Sequence, residues 1–353
     1  MGMDMTKHKN RVLVDQPRRL TMKQVAEMAG TSRSTVSRVI SNSPRISEKV
    51  RQRVLQVIEQ TDFRPNLYAR GLRGGTTGQI AVIVNWMSHG VVPDMAQGID
   101  DIAREHNLHV ICCFAHGSDD YISLWKRFAR SGEVDGVVVV APPLALFSES
   151  VEPIDCPVVL CACDAKNSRK GWRNIDSSSM NNEKALNDLL LHLVEQDCRR
   201  FVFLGSKSEN YDGVARRAAF LQFMKQRNMQ SEVIRITESY ECARQATAQF
   251  IDNHGKLPHA IVCFNDDLAL GAYDAIKEKG LHIPHDVAVT GFDDILFTEF
   301  LGITTIRVPG LAMGQEAARL LIARLDKKGS FPSTRNAVFD LETRFRNSSL
   351  FKR

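Results

Sequence analysis

Residues 21–41 read TMKQVAEMAGTSRSTVSRVIS, and this stretch predicts two short helices joined by a tight turn. Thr21 is a good N-cap for the first helix, and Gly30 ends it. One face of this helix is apolar and consists of Val25, Ala26 and Ala29. Small alanines allow the second helix to cross closely, as a helix-turn-helix requires.

The second helix has two chemically different faces. Ser32 can cap it, and its apolar face consists of Val36, Val39 and Ile40. Its opposite face carries Arg33, Ser34, Ser37 and Arg38. A polar face of this kind can contact base edges in a major groove, whereas an ordinary helix pair with a solvated Arg/Ser face is the alternative.

A third helix follows in SEKVRQRVLQVIEQ, residues 47–60, with Ser47 as its cap. Its predicted apolar stripe closes a three-helix core and consists of Val50, Val54, Leu55, Val57 and Ile58. Pro65 breaks this helix, and nearby glycines make a helix over 66–73 marginal. We therefore expect a helix-turn-helix domain at residues 21–65 and a hinge at 66–78.

Charge is unevenly distributed along the chain. Residues 1–75 carry fifteen Lys and Arg against six Asp and Glu, a net charge of +9, whereas the remaining residues carry 31 against 35, a net charge of −4. The basic character is therefore local to the predicted helix-turn-helix segment, which suits the neutralisation of DNA phosphates.

From Gln79 onward, short apolar runs alternate with longer amphipathic segments. Strands are predicted at 79–84, 108–114, 135–141, 157–162, 199–205, 259–264 and 286–292. Helices are predicted near 93–106, 119–131, 179–196, 213–228, 239–253, 267–280 and 311–328. Val/Ile-rich strands separated by helices indicate two parallel sheets, with a break near residue 176. Ligands bind where the carboxyl ends of such strands face each other.

The order of three motifs resembles the LacI/GalR family of transcription regulators. They are A-x-x-A-G-x-S-x-x-T-V-S-R-V-I, then S-x-x-x-R-x-x-V, then F-R-P-N-x-x-A-R-x-L-R, and the resemblance covers residues 21–345. It implies an α + α/β fold, in which a three-helix DNA-binding domain precedes a periplasmic-binding-protein-like core of two parallel-sheet subdomains. That core spans 79–353, with crossovers near 176, 305 and 335.

The resemblance implies specific DNA contacts. Base contacts are implied for Arg33, Ser34, Arg38, Leu72 and Arg73, and phosphate contacts for Thr21, Ser32, Thr35, Ser37 and Asn66. Arg38 is the best candidate for a guanine contact, because an arginine fork matches guanine O6 and N7. The hinge of the family folds on the operator, where a leucine at the position of Leu72 kinks the minor groove. Gly71 departs from the family pattern and costs roughly 1 kcal/mol of helix propensity relative to alanine.

Effector contacts are implied at the strand ends of the core. Asn265 and Asp293 stand where the family holds sugar hydroxyls, and Arg216 matches the family arginine of R-x-x-G-F, although alanine replaces the glycine. Trp86 and Tyr240 could stack on a sugar ring, and ordinary packing is the alternative of equal weight. We expect a carbohydrate effector, a sugar or a sugar derivative such as a sugar acid, with a nucleoside or purine as the alternative.

Two departures from the family pattern weaken that expectation. The aspartate often found after the fourth strand is replaced by the run Cys161-Ala162-Cys163-Asp164. The usual N-P-F-F loop reads SHGVV at 88–92, which removes an aromatic wall. Asp266, beside Asn265, is predicted to cap the following helix rather than to bind ligand.

Other functional classes find little support in the sequence. Hydrolase, zinc-protease, nucleotide-binding and dinucleotide-binding motifs are absent, and the S-x-x-K of residues 123–126 lacks its companion motifs, so we expect no catalytic residue. The eight cysteines fall mostly in apolar strand-like runs and are expected to be reduced core thiols. We expect neither a metal ion nor another cofactor.

Residues 1–20 read as a disordered tail without the apolar region of a signal peptide. No apolar run in the sequence approaches the roughly 18 residues that a membrane span needs, so we expect a cytoplasmic protein without a membrane partner. The sequence thus predicts a homodimeric repressor that binds a pseudo-palindromic operator under allosteric control by a small metabolite. A cytoplasmic solute receptor without a DNA role is the alternative.

Overall fold

The computed structural model describes residues 20–40, 43–61, 63, 76–85, 90–148, 156–164, 175–207, 209–326 and 334–350. The chain divides into two units, Met1–Ala69 and Arg70–Arg353. The predicted tail, apart from residue 20, and most of the predicted hinge lie outside the described residues.

The first unit contains the three predicted helices, α1 (Met22–Met28), α2 (Arg33–Ile40) and α3 (Glu48–Thr61). Thr21 caps α1 in a reciprocal capping box with Gln24. The buried core of the unit consists of Val25, Ala26, Ala29, Val36, Val39, Val54, Val57 and Phe63. Burial of these side chains on all three helices holds the small bundle together.

Leu55 corrects the prediction for α3, because its side chain is 43% exposed rather than part of the apolar stripe. Val54 and Val57 are buried, and Val50 and Ile58 are partly buried against the same core. Each residue turns the helix by about 100°, so the position directly after Val54 falls on the flank of the buried face. Phe63, beyond the end of α3, completes the core instead.

The first subdomain of the second unit is built on a six-stranded sheet in the order β11-β5-β4-β3-β1-β2. Every neighbouring pair is parallel. The strands are β1 (Gln79–Val84), β2 (His109–Phe114), β3 (Gly136–Val140), β4 (Val158–Cys161), β5 (Asp176–Met180) and β11 (Asn336–Phe339). The associated helices are α4 (Val92–Glu105), α5 (Ser118–Ser131) and α11 (Gly310–Asp326).

Two glycines allow α4 and α11 to cross closely. A Cβ atom at Gly98 would lie 2.2 Å from the carbonyl oxygen of Leu311, and one at Gly314 would lie 2.0 Å from that of Met95. Real Cβ atoms do not approach backbone this closely, so the helix crossing requires glycine at both positions. This contact joins the last long helix of the chain to the first helix of the subdomain.

β5 was not predicted as a strand, because its sequence DSSSM is polar. The strand is nevertheless fully buried, and its hydroxyl groups are satisfied inside the protein. Ser177 and Ser179 donate hydrogen bonds to Asn336 Oδ1, and Ser178 donates one to the carbonyl oxygen of Met313. Partners far along the chain therefore make a buried polar strand possible.

The second subdomain contains a parallel sheet in the order β7-β6-β8-β9. Its strands are β6 (Arg200–Ser206), β7 (Gln230–Ile236), β8 (Ala260–Cys263) and β9 (Ala288–Thr290). Its helices are α6 (Asn182–Glu195), α7 (Tyr211–Gln226), α8 (Tyr240–Asn253), α9 (Asp266–Glu278) and α10 (Leu296–Leu301). β10 (Thr305–Arg307) pairs antiparallel with β12 (Glu342–Arg344) beside this sheet.

The chain passes between the subdomains three times. It leaves the first subdomain after β5 and returns between Arg307 of β10 and Gly310 of α11. It passes again between Phe339 of β11 and Glu342 of β12. The sequence placed these crossovers near 176, 305 and 335, and it correctly predicted two parallel-sheet subdomains. Within the described ranges, every helix is too short or too polar to cross a bilayer.

Candidate effector cleft and DNA-facing helix

A cavity of about 180 Å³ lies between the two subdomains of the second unit. Its lining residues follow the carboxyl ends of strands from both sheets or begin the helices after them, as parallel sheets require. The first subdomain contributes Asn85, Gly90, Val91, Val92, Met95, Ala141, Ala162 and Met180. The second contributes Asn210, Asp212, Arg216, Glu238, Phe264, Asn265, Asp267 and Asp293. One wall is therefore mainly apolar and the other mainly charged.

Arg216 lies on α7 and points into the cavity wall. Its guanidinium donates hydrogen bonds to Asn182 Oδ1, to the carbonyl oxygen of Phe264 and to the sulfur of Met180. It also stacks on the ring of Phe292, with 3.4 Å between Cζ and the ring centroid. The protein itself thus fixes the side chain before any ligand enters.

Asp293 follows β9 and carries a backbone φ of 121°, in the region that favours glycine. Its backbone amide donates to the carbonyl oxygen of Ile306, which holds this conformation next to β10. Its carboxylate Oδ1 lies 3.8 Å from Nη1 of Arg216. Burial raises the pKa of Asp293 well above its usual range, the guanidinium of Arg216 opposes this rise, and nearby carboxylates reinforce it.

Asn265 has two roles: it lines the cavity, as predicted for a ligand contact, and it caps a helix, the role predicted for Asp266. Its side-chain oxygen accepts a hydrogen bond from the backbone amide of Leu268, so Asn265 is the N-cap of α9. The prediction that Asp266 caps this helix is therefore wrong. Asp266 is fully buried instead, and its carboxylate accepts hydrogen bonds from Thr305 Oγ1 and the Ile295 amide rather than from the first turn of the helix. Asn265 also lines the cavity.

Three further acids of the cavity, Asp212, Glu238 and Asp267, were missed by the sequence reasoning. Asp212 lies one helical turn before Arg216 on α7, and Glu238 follows β7, which was not predicted as a strand. Asp212 accepts a hydrogen bond from Asn182, and Glu238 accepts one from Ser206. Burial raises the pKa of both carboxyl groups. The spacing of Asp212 from Arg216 was the one signal that could have identified it.

The two aromatic candidates for ring stacking have different outcomes. Tyr240 begins α8 and is 38% exposed, and its hydroxyl donates a hydrogen bond to Asp274 rather than facing the cavity. The prediction that Tyr240 stacks on a sugar ring is therefore wrong. The helix α8, which Tyr240 begins, packs beside α9, and Glu238 lines the cavity instead. Trp86 lies outside the described residues.

In the first unit, α2 exposes the predicted polar face. Arg33, Ser34, Ser37 and Arg38 are exposed, whereas Val36 and Val39 are buried against α1 and α3. Arg38 lies in the last turn of α2, on the side away from this core.

The predicted phosphate contacts lie around the ends of the first two helices. Ser32 Oγ accepts a hydrogen bond from the Thr35 amide at 3.2 Å and thereby caps the start of α2, as predicted. Ser32 and Ser37 are exposed and Thr35 is half-buried, and Thr21 is exposed at the start of α1. The predicted DNA contacts of Asn66, Leu72 and Arg73 fall on residues outside the described ranges.

Two family descriptions match this chain. Residues 21–66 match the bacterial regulatory proteins of the lacI family, and residues 190–349 match the periplasmic binding protein-like domain. The first match covers the helices that expose the basic face, and the second covers the subdomain that carries the charged wall of the cavity.

Curated relatives align along most of the chain. The transcriptional regulator RegA of Clostridium saccharobutylicum is 26% identical over 87% of this chain and 93% of its own length. The transcriptional repressor PurR of Histophilus somni (strain 129Pt) is 27% identical over 88% and 93%. Catabolite control protein A of Priestia megaterium is 26% identical over the same two shares.

Solved structures share the fold at lower identity. The lac repressor dimer bound to operator and an anti-inducer superimposes with a TM-score of 0.80 at 22% identity, covering 95% of this chain and all of the other. The CelR regulator in complex with cellobiose gives a TM-score of 0.66 at 22% identity and covers 94% and 100%. The chain therefore combines the helix-turn-helix domain of the lacI family of bacterial regulatory proteins with a periplasmic binding protein-like domain, and its curated relatives are transcriptional regulators.

Proposed function

We propose that this protein is a transcriptional repressor that binds a pseudo-palindromic operator as a homodimer and changes its operator affinity when a small carbohydrate occupies the cleft. The observation that carries the proposal is the presence, in one chain, of an exposed basic helix and of a cavity between two subdomains. Each part has a known physical use, and neither requires the chemistry of an enzyme.

The DNA-binding part of the proposal rests on α2. Arg33 and Ser34 stand at its start and Arg38 in its last turn, all exposed. Arginine forks discriminate guanine in the major groove, whereas serine hydroxyls hold phosphates or several bases. Leu72 and Arg73 keep their proposed role in the minor groove, and Asn66 its proposed role at phosphate.

A sugar-type effector is supported by the polar groups of the cleft and by related proteins. Carboxylate, amide and guanidinium groups from Asp293, Asn265 and Arg216 converge on one cavity. CelR was solved with cellobiose, and a LacI-type regulator from Alkaliphilus metalliredigens was solved with D-xylulofuranose. We propose the same broad ligand class for this chain.

The homodimer is supported by an exposed apolar pair. Leu296 and Phe300 lie one helical turn apart on α10 and are 73% and 79% exposed. Large apolar side chains exposed together mark contact surfaces in soluble proteins. Because the lac repressor, which shares this fold, was solved as a dimer, we propose a second copy of this chain as the partner. We also propose a cytoplasmic location, where operator DNA is accessible.

Selection of binding sites from random duplex DNA by the full-length protein tests the proposal. We expect enrichment of an inverted repeat and a steep loss of affinity as salt rises, because arginine contacts displace counterions. Enriched duplexes are then titrated again with candidate sugars and nucleosides. Enrichment of no sequence would refute the DNA role, and binding of a nucleoside alone would refute the carbohydrate effector.

A further inference from the structure

We infer that the effector of this cleft carries a positively charged amine beside its hydroxyl groups, so that an amino sugar fits the cavity better than a neutral sugar or a sugar acid. This inference rests on the proposed function, because it concerns the effector of the same cleft. Three features of the cavity carry it: its excess of carboxylates, the internal pairing of its arginine, and the orientation of its amides.

Among the described residues that line the cavity, carboxyl groups outnumber cations. Asp212, Glu238, Asp267 and Asp293 line it, and Arg216 is the cation among the described lining residues. These groups lie close enough to influence one another, since the charges of Asp212 and Asp267 both act on Asp293. Several carboxyl groups around one guanidinium disfavour the ionisation of all of them, and a cationic ligand would offset this charge deficit.

Arg216 is poorly placed to receive an acidic ligand. Each of its three side-chain nitrogens already donates a hydrogen bond to a protein acceptor. One face of the guanidinium is covered by Phe292, and the side chain is only 4% exposed. The single N–H of Nε is occupied, so the guanidinium does not present its side-on Nε–Nη2 fork to a carboxylate or phosphate, and one N–H on each Nη atom is left. The guanidinium instead offsets part of the charge of Asp293.

Two carboxylates keep oxygen atoms directed at the cavity. Asp212 is 7% exposed, and its Oδ1 accepts a hydrogen bond from Asn182. Within the described part of the chain, its Oδ2 accepts none. Asp293 interacts with Arg216 at 3.8 Å, beyond hydrogen-bond distance, so its oxygens also lack a described donor. Carboxyl oxygens that line the cavity without a described protein donor leave acceptor positions for a ligand.

The amides specify hydroxyl groups in addition to the amine. Asn210 and Asn265 both line the cavity, and each uses its side-chain oxygen to cap a helix, at the amides of Gly213 and Leu268. The side-chain oxygen is thereby fixed on the helix, and the NH₂ group remains to donate to a ligand oxygen. An amine without hydroxyl groups would leave these donors unused. The geometry therefore favours a hydroxylated ring with an ammonium group.

Ligand charge then decides selectivity. An ammonium group brings three donors and a positive charge to the carboxylates, whereas a neutral hydroxyl brings one donor and leaves the charge deficit. A sugar acid adds a negative charge to a cavity that already repels it. The same cavity that accepts an amino sugar should therefore reject the corresponding acid.

Isothermal titration calorimetry on the full-length protein tests the inference with matched compounds. The pairs are glucose and glucosamine, galactose and galactosamine, and mannose and mannosamine, with glucuronate and galacturonate as acids and putrescine as an amine without a ring. We expect at least one amino sugar to bind at least about tenfold tighter than its neutral partner, and the acids not to bind. Tighter binding of a neutral sugar, an acid or putrescine would overturn the inference, as would no binding by any amino sugar at about 10 mM.

Variants then connect the preference to the cavity. Glu238→Gln and Asp212→Asn keep the shape of each side chain but remove a charge, and we expect each to reduce the preference for the amine at least about tenfold. Glu232→Gln, an exposed change on β7 outside the cavity, is the matched control and should leave it intact. Unchanged preference in both cavity variants would overturn the inference.

The failure of this inference differs from the failure of the proposed function. If a neutral sugar binds tightly and shifts operator affinity, the result supports the repressor function and contradicts the inference of an amino-sugar effector. If the protein binds an amino sugar but no duplex sequence preferentially, the charge argument stands and the DNA role falls. Operator binding is measured on the same protein preparation, so the two results are obtained independently.

Discussion

Oδ1 of Asp293 lies 3.8 Å from Nη1 of Arg216, close enough for attraction between charges but too far for a hydrogen bond. The arginine is held by acceptors on other elements, and the aspartate by its backbone beside β10. The two groups are therefore positioned independently of each other. A ligand can bridge them without first breaking a hydrogen bond.

Asp293→Ala should abolish the response to effector while leaving operator affinity near that of the parent protein. The side chain lines the cavity, and the DNA-binding helices belong to a separate unit of the chain. Fluorescence anisotropy with labelled operator, with and without effector, measures both properties. Asp197→Ala, an exposed residue outside the cavity, is the control. Loss of operator affinity in a well-folded Asp293 variant would identify a structural role.

Arg38→Ala should weaken binding to the specific operator by roughly 1–3 kcal/mol and binding to random DNA much less, because an arginine fork on guanine contributes to discrimination. Competition titrations against both DNAs measure this difference. Arg53→Ala, an exposed change on α3, should reduce affinity for both DNAs by similar, smaller amounts. Equal losses on both DNAs for Arg38→Ala would assign this arginine to phosphate.

Phe300→Asp should weaken the proposed dimer, because it places a charge on the most exposed large apolar side chain described. Analytical ultracentrifugation over a concentration series should show a monomer fraction that the parent protein lacks. Operator affinity should fall with the dimer, since two half-sites must be bound together. Leu221→Asp, an exposed change on α7, is the control, and dissociation in that variant alone would place the interface elsewhere.

The stability of the unliganded protein should depend on pH through the acids of the cleft. Burial raises the pKa of Asp212, Glu238 and Asp293. In the unfolded chain such groups ionise at about pH 4, so above that pH the folded protein holds more protons than the unfolded chain. The free energy of unfolding therefore falls as the pH rises from the unfolded to the folded pKa.

Glu238→Gln isolates this contribution. We expect the variant to gain stability relative to the parent as the pH rises above about pH 4 towards the raised pKa of Glu238, because the glutamine cannot ionise. Denaturant unfolding at each pH measures the difference, with Glu232→Gln as the control. Arg216, Asp212, Asp267 and Asp293 also face the cavity and remain in both proteins. A difference that does not change with pH would contradict the prediction.

Gly314→Ala should destabilise the second unit, although alanine favours a helix by about 1 kcal/mol. Its Cβ atom would lie 2.0 Å from the carbonyl oxygen of Met95, so α4 and α11 would have to separate. Overpacking of this kind costs typically about 1–3 kcal/mol, which outweighs the helix propensity. Gly255→Ala has open space around it and is the control in thermal unfolding. Equal melting temperatures for Gly314→Ala and the parent would show that α4 and α11 can move apart at little cost in free energy.

Local patterns of the sequence predicted much of the fold. Runs of valine and isoleucine correctly predicted β1 and β3, because a strand buried on both faces is usually apolar throughout. β5 was not predicted, because its buried serine hydroxyls donate hydrogen bonds to Asn336 and Met313, which are more than a hundred residues away in the chain. β7 was not predicted either. It is the edge strand of its sheet, several of its side chains are polar, and its positions vary between exposed and half-buried.

By itself, the sequence determined the three helices of the first unit, the basic face of α2 and the two parallel sheets. Helix caps and apolar periodicity depend on residues only a few positions apart, so the sequence shows them directly. Only the tertiary structure decided which acids share the cavity. Asp212, Glu238 and Asp293 are separated by dozens of residues and converge because three different strands end at one cleft. Only the tertiary structure excluded Tyr240 and gave Arg216 its internal acceptors. Such contacts depend on the packing of whole elements, which no short stretch of sequence encodes.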